Sequence, residues 1–370
     1  MNSMAPAGPA TDWLCEVLRQ PRRLTGRTLA DWDVLVRQAR SAGLLARLGC
    51  MLEAQAALDQ VPAAPQTHLQ AAMLRAEAAH AHALRELAWI GRALEPIGLQ
   101  PVLLKGAAYV AQGLLPAMGR IFSGVDILVP KRRLPEVEAA LMASGWATPH
   151  HSAYDQRYYR QWRHEQPPQR HLQCQNVLNV HHAILPETAR LKPSSDKLLA
   201  RARALSNQPQ FAVLDPADMV LHCMVHLFHD DDFCHSLRDL SDLDLLLRQL
   251  GHAASFWDEL LARSRELDLV RPLHYGLRYT HKLLGTPVPQ PTLDAAALAG
   301  PGRFVSALSD SLWAQALRPR HASAADRWTP IALFALYVRA HWLKMPPWLF
   351  ARHLTVKALG LHTAPVGTNA

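Results

Sequence analysis

The sequence predicts an α+β protein, a small mixed β-sheet core with helical N- and C-terminal additions. Three observations carry that expectation. Apolar residues follow a helical period up to about residue 95, alternate from about residue 96 to 190, and return to a helical period beyond it. Proline and glycine punctuate the changes, as in Glu95-Pro96-Ile97-Gly98. The chain has 370 residues, enough for two or three domains. Regions 1–95, 96–190 and 191–370 are therefore expected as N-terminal helices, α+β core and C-terminal helices.

The elements follow in order. Thr28 with Asp31 forms a capping box, and Trp32, Leu35, Val36 and Ala39 recur behind it at helical spacing. Pro62 and Pro65 break the pattern. An Ala-rich helix then runs from about Thr67 to Leu94, with Leu84, Leu87, Ile90 and Leu94 as its stripe. In the core, Gln100–Leu104 reads as a strand, Ala107–Leu115 as a helix and Val125–Val129 as a strand. Leu134–Ser144 reads as a helix closed by Gly145. A tract rich in Tyr, Arg, Gln and Pro, Tyr154 to Arg170, leads to a strand pair near His171–Gln175 and Val177–His182. Asp215 as N-cap, Pro216 at the first helical position and Asp218 in the first turn open a helix through His229. Ser236–Leu250 is a second helix, the prolines after Thr286 make an extended linker, and a tail helix with Trp342 and Trp348 covers Ala332–Leu359.

The net charge of +8 and pI near 9.5 suit an anionic partner: a nucleotide, a phosphorylated acceptor or a lipid surface. The charge is scattered, with Lys131-Arg132-Arg133 the densest run, so nucleic acid is not the expected partner. The basic, Trp-bearing tail could touch a membrane surface peripherally, or pack by its tryptophans. Cys15, Cys50, Cys174, Cys223 and Cys234 form no Cys-x-x-Cys pair, which points to reduced thiols and a cytoplasmic protein. No basic-then-apolar signal opens the chain, and the longest apolar run, near Ile331–Val338, is too short to span a bilayer. Walker, Rossmann and Gly-x-Ser-x-Gly patterns are missing.

Strand alternation places Val125, Ile127 and Val129 on one face and Asp126, with position 124, on the other. Asp126 can then meet a metal or a phosphate. Gly124 stands where a second carboxylate would be most useful. On the later strand, Asn179 and His181 share a face, and His182 lies on the core face with Leu178 and Val180.

Several motifs combine at this point: Lys105-Gly106; Arg120 followed by Ser123-x-x-Asp126-x-Leu128-Val129; Leu178-x-Val180-His181; and Leu237-Arg238-Asp239-Leu240. Together they resemble the bacterial uncharacterised nucleotidyltransferase family of the polymerase-β-type superfamily, and within it the subgroup found near exopolysaccharide and exosortase genes. The resemblance runs from about Trp32 to the tail. It implies a nucleotidyltransferase-like core that moves a nucleoside monophosphate from an NTP, carried with Mg²⁺ or Mn²⁺, to a small-molecule, glycan or protein acceptor. It assigns nucleotide and phosphate binding to Lys105, Gly106, Arg120 and Ser123. It assigns the catalytic positions to Gly124, Asp126 and Asn179, with Asp126 and Asn179 as metal ligands. Gly124 and Asn179 replace two of the family's three carboxylates, so the transfer is expected to be impaired. The alternatives are a non-catalytic nucleotide- or partner-binding relative and a structural adaptor. Plainer readings exist for each residue: a solvated strand aspartate at 126, a simple strand end at Lys105-Gly106, an ion-paired Arg120.

A second cluster, His222, His226 and His229, has i, i+4, i+7 spacing on one helix and could converge on a metal, with His181 as a further member. The plainer reading is a packing helix. The Tyr154–Arg170 tract, with Arg157, Trp162 and His164, suits an acceptor or base pocket, or simply a loop covering the sheet.

Overall fold

The structure, a computed structural model, describes residues 13–20, 24, 26–122, 124–148, 164–173 and 177–345. Ser123, Cys174, Trp348 and residues Tyr154 to Arg163 of the aromatic tract lie outside the described residues.

Four helices form the N-terminal part: α1 (Trp13–Arg19), α2 (Leu29–Ser41), α3 (Leu45–Ala54) and α4 (Ala63–Leu94). The capping box forms as read. Thr28 Oγ1 accepts from the Asp31 amide at 3.2 Å, and Asp31 Oδ2 accepts from the Thr28 amide at 3.0 Å. α4 starts earlier than its spacing suggests. Pro65 sits in its first turn, where a backbone N–H would lack an intrahelical acceptor anyway. Leu87, Ile90 and Leu94 are buried, but Leu84 faces solvent.

Among the described residues, seven strands build one mixed sheet: β1 (Val102–Leu104), β2 (Gly124–Leu128), β3 (Trp146–Ala147), β4 (Gln169–His171), β5 (Val177–His181), β6 (Arg203–Ala204) and β7 (Ala212–Val213). Their order is β3-β4-β5-β2-β1-β7-β6. β2 runs parallel to β5 and antiparallel to β1. Val125, Ile127, Leu178 and Val180 are fully buried, as the alternation requires. α5 (Lys105–Gln112) follows β1 directly, and α6 (Leu134–Ala143) follows β2. β6 and β7 come from beyond residue 190, so the sheet also draws on the third region.

The remaining helices are α7 (Ser195–Arg201), α8 (Pro216–His229), α9 (Ser236–Leu250), α10 (Ala254–Glu266), α11 (Val270–Tyr279), α12 (Gln290–Leu298), α13 (Arg303–Ala316) and α14 (Thr329–Lys344). Asp215 caps α8, its Oδ1 accepting from the Ala217 amide at 3.2 Å. α8 is buried almost all round and packs against α9, α10, α11 and α14, as an apolar helix must. The prolines after Thr286 give way to α12 rather than to a long linker.

A buried ion cluster ties α3, the core and α9 together. Arg47, on α3, donates Nη2 to Asp242 Oδ1 at 2.7 Å, Nη1 to Ser241 Oγ at 3.0 Å and Nε to the Met118 carbonyl at 3.2 Å. Arg120 donates to the other oxygen of Asp242 and lies 3.8 Å from Asp239 Oδ1. Gly119 makes this approach possible. Its φ is +62°, and a Cβ there would lie 2.4 Å from the Arg47 amide nitrogen.

Cys15, Cys50, Cys223 and Cys234 are not disulfide-bonded. Among the described residues, no helix is long and apolar enough to cross a membrane. Of the two tail tryptophans, Trp342 carries the Arg190 guanidinium 4.5 Å above its ring.

Candidate active site

The site forms where β2 and β5 lie side by side. Their register sets Asp126 against Asn179 and Leu128 against His181. Alternation then brings Asp126, Asn179 and His181 to one face. Asn179 Nδ2 donates to Asp126 Oδ1 at 3.2 Å, and His181 Nε2 lies 2.9 Å from the same oxygen. Lys105 Nζ is 3.7 Å from it.

Lys105 reaches this point from an unusual backbone. It is the first residue of α5 and has φ of +48°, in the left-handed region. That conformation costs roughly 1–2 kcal/mol for a residue with a Cβ. It turns the chain sharply from β1 into α5. The first turn of α5 leaves backbone N–H groups without intrahelical acceptors, as every helix start does.

Burial alone would push the Asp126 carboxyl up. Lys105, the His181 hydrogen bond and the Asn179 amide outweigh it and hold the group well below the usual carboxylate range. Asp126 is therefore ionised near neutral pH. His222, on α8, has its pKa lowered well below the usual value by burial, then by Lys105, His226 and His181, which favours the neutral imidazole.

Beyond His181 the chain adds a carboxylate that the strand pattern does not reveal. Glu165 forms an isolated antiparallel bridge with His181. The Gln166 amide donates to the Val180 carbonyl at 2.8 Å and the His182 amide to the His164 carbonyl at 2.9 Å. These bonds set Glu165 Oε2 3.6 Å from His181 Nδ1, and the His164 ring 5.4 Å from the His181 ring. His181 thus lies between two acids, Asp126 and Glu165.

A family model described as uncharacterised nucleotidyltransferase matches residues 28–285. The chain belongs to this family. No curated protein and no solved structure matches it. The matched span takes in all seven strands of the nucleotidyltransferase sheet, together with Arg47, Arg120 and Asp242. α12 to α14 lie outside it.

Within the nucleotidyltransferase frame the expected residues separate into two groups. Asp126, Asn179, Lys105 and His181 converge. Arg120 does not reach a phosphate-binding rim: its side chain is 7% exposed and committed to Asp242 and Asp239. Gly106 is buried, and a Cβ on it would lie 3.0 Å from the Phe122 ring and 3.2 Å from Arg120 Nε. Its role is to admit those two side chains. Ser123 lies outside the described residues.

Gly124 is next to Val177 in the parallel ladder. A Cβ at position 124 would lie 2.4 Å from the Val177 carbonyl oxygen. That backbone approach leaves no room for a side chain at position 124 unless β2 or β5 shifts.

The three helical histidines part company. His222 is buried, and its protonation is disfavoured by burial and then by Lys105, whereas His226 sits 3.4 Å from Asp239 and 3.7 Å from Asp230. His229 is buried near Arg339 and Lys344 instead. Among the described residues, the group whose side chains come close enough to share an ion is His164, Glu165 and His181.

Proposed function

We propose that this nucleotidyltransferase-family protein binds a nucleotide at the β2–β5 site and transfers its nucleoside monophosphate weakly or not at all. One observation supports this above others. The single family carboxylate, Asp126, offers an Oδ1 that already meets Lys105, Asn179 and His181. Two Mg²⁺ ions need near-octahedral shells of hard oxygen. One carboxylate beside an ammonium, an amide that turns its NH₂ inward and an imidazole do not fit that need. Lys105 and the first amides of α5 do suit a phosphate, by charge and by the positive end of the helix. The scattered positive charge and cysteines not joined in disulfides fit a cytoplasmic protein that meets anionic ligands.

Retention of Asp126 supports a second reading, slow metal-dependent transfer, and one experiment separates the two. Each NTP is titrated calorimetrically with and without Mg²⁺ or Mn²⁺, and pyrophosphate release and adduct formation are followed. The proposal expects binding with little metal dependence, weakened about tenfold or more in Lys105→Ala by loss of a charge-assisted contact, and little or no pyrophosphate. Robust turnover abolished by Asp126→Ala overturns it in favour of an active transferase. No binding at all leaves the adaptor reading.

A further inference from the structure

We propose that His164, Glu165 and His181 form a site for one divalent transition-metal ion of the Zn²⁺ type, with Asp126 bonded behind His181. This goes beyond the nucleotide reading and does not depend on it.

The geometry is the first argument. One ligand atom from each of the three residues lies within 4.8 Å of the others. Bonds of about 2.0–2.2 Å to one ion would draw these atoms closer together. The Glu165–His181 bridge and the Gln166–Val180 and His182–His164 hydrogen bonds fix all three residues on one strand end.

The second argument is the placement of His181 between two carboxylates. Asp126 Oδ1 lies 2.9 Å from Nε2, so that nitrogen can donate to Asp126 while Nδ1 ligates an ion. Glu165 Oε2 lies 3.6 Å from Nδ1, where one cation could meet both atoms. A histidine that ligates through one nitrogen and donates from the other to a carboxylate is the usual way a metal-bound imidazole is oriented.

The third argument is donor chemistry. Two imidazole nitrogens and one carboxylate oxygen suit Zn²⁺ and similar ions, and three protein ligands leave a coordination position open. Mg²⁺ prefers oxygen alone and keeps its water. Glu165 and His164 are part-buried, while His181 is 5% exposed.

The test uses the full-length chain without a histidine tag, stripped with chelator and free of nucleotide. Zn²⁺ is titrated by calorimetry, and Co²⁺ by its visible absorption. About one equivalent should bind, with Co²⁺ giving the stronger absorption of a low-coordinate site, and excess Mg²⁺ should not compete. His164→Ala and Glu165→Gln should each weaken Zn²⁺ binding by at least tenfold. Asp126→Asn should weaken it roughly 10–100-fold while keeping the stoichiometry. His181→Gln should abolish it. Since His181 is buried and its variant could misfold, the part-buried His164 and Glu165 variants carry the decision, checked for native circular dichroism. Unchanged Zn²⁺ affinity in both, a Co²⁺ spectrum like that of the aqueous ion, or equal competition by Mg²⁺ overturns the site and leaves His181 merely hydrogen-bonded between two acids.

Discussion

Asn179 turns its amide nitrogen toward Asp126 across the parallel β2–β5 pair, donating to Oδ1 at 3.2 Å from the position directly in register. Asp126 thereby has a hydrogen-bond donor as its cross-strand neighbour. Asn179→Asp would replace that donor with a second carboxylate at almost no change in volume.

That substitution should create a cation-dependent protein. Two carboxylates would then share the 3.2 Å contact, and like charge disfavours ionising both. The expected result is a loss of about 1–3 kcal/mol near neutral pH in chelator. The raised acid of the pair makes the loss grow as pH rises through the carboxylate range. Millimolar Mn²⁺ or Ca²⁺ should restore much of it. Urea midpoints with and without metal provide the check, and equal midpoints would contradict the prediction.

Position 124 should behave differently, because the obstacle there is steric. Gly124→Ala should cost about 1–3 kcal/mol, since its Cβ meets the Val177 carbonyl at 2.4 Å. Gly124→Asp should cost at least as much, and metal should not rescue it fully. Paired with Asn179→Asp, it therefore adds a steric cost that Asn179→Asp alone does not carry. Thermal melts of the two single variants decide this. A Gly124→Ala protein as stable as the parent would show that β2 and β5 can part.

Asp242 pairs with both Arg47 and Arg120 inside the protein. Asp242→Ala should cost about 3–5 kcal/mol by leaving the buried Arg47 without its carboxylate and Arg120 with Asp239 alone. Asp33→Ala, which removes a surface partner of Arg37, should change stability by less than about 0.5 kcal/mol. Chemical denaturation of the two variants side by side measures the contrast.

Mild acid should weaken the fold through its buried histidines. Burial, with Arg339 and Lys344, pushes His229 down to about 3. An unfolded histidine titrates near 6.5. The unfolded chain therefore binds the proton first, so stability is full above about pH 6.5 and falls as pH drops towards 3. The slope from one such group approaches about 1.4 kcal/mol per pH unit, and His222 acts in the same direction. His229→Leu should flatten the decline between about pH 6 and 4. An unchanged slope in urea midpoints would rule His229 out.

Much of this was legible in local pattern. Alternation put Asp126 and Asn179 on one face, and the Thr28–Asp31 and Asp215–Pro216 signals opened helices where they do. The family resemblance rested on the same short motifs. Non-local partners stayed hidden. Arg120 reads as a phosphate ligand until Asp242, 122 residues later, is seen beside it. Glu165 carries no period that marks a strand, since Gln166-Pro167-Pro168 follows it, and it joins the site by one isolated bridge. The left-handed turn at Lys105 and the bare approach at Gly124 depend on neighbouring backbone, which side-chain spacing does not encode.

The Arg47–Asp242 contact spans 195 residues of sequence. A growing chain carries Arg47 and Arg120 out of the ribosome long before Asp239 and Asp242, the acids they meet. Until α9 is synthesised, α3 and the β1–β2 segment have no partner for two cations at their junction, and desolvating either is unfavourable. Closure of the core therefore waits on the second half of the chain, and a transcript cut short ahead of Asp242 yields a product that cannot complete its own interior.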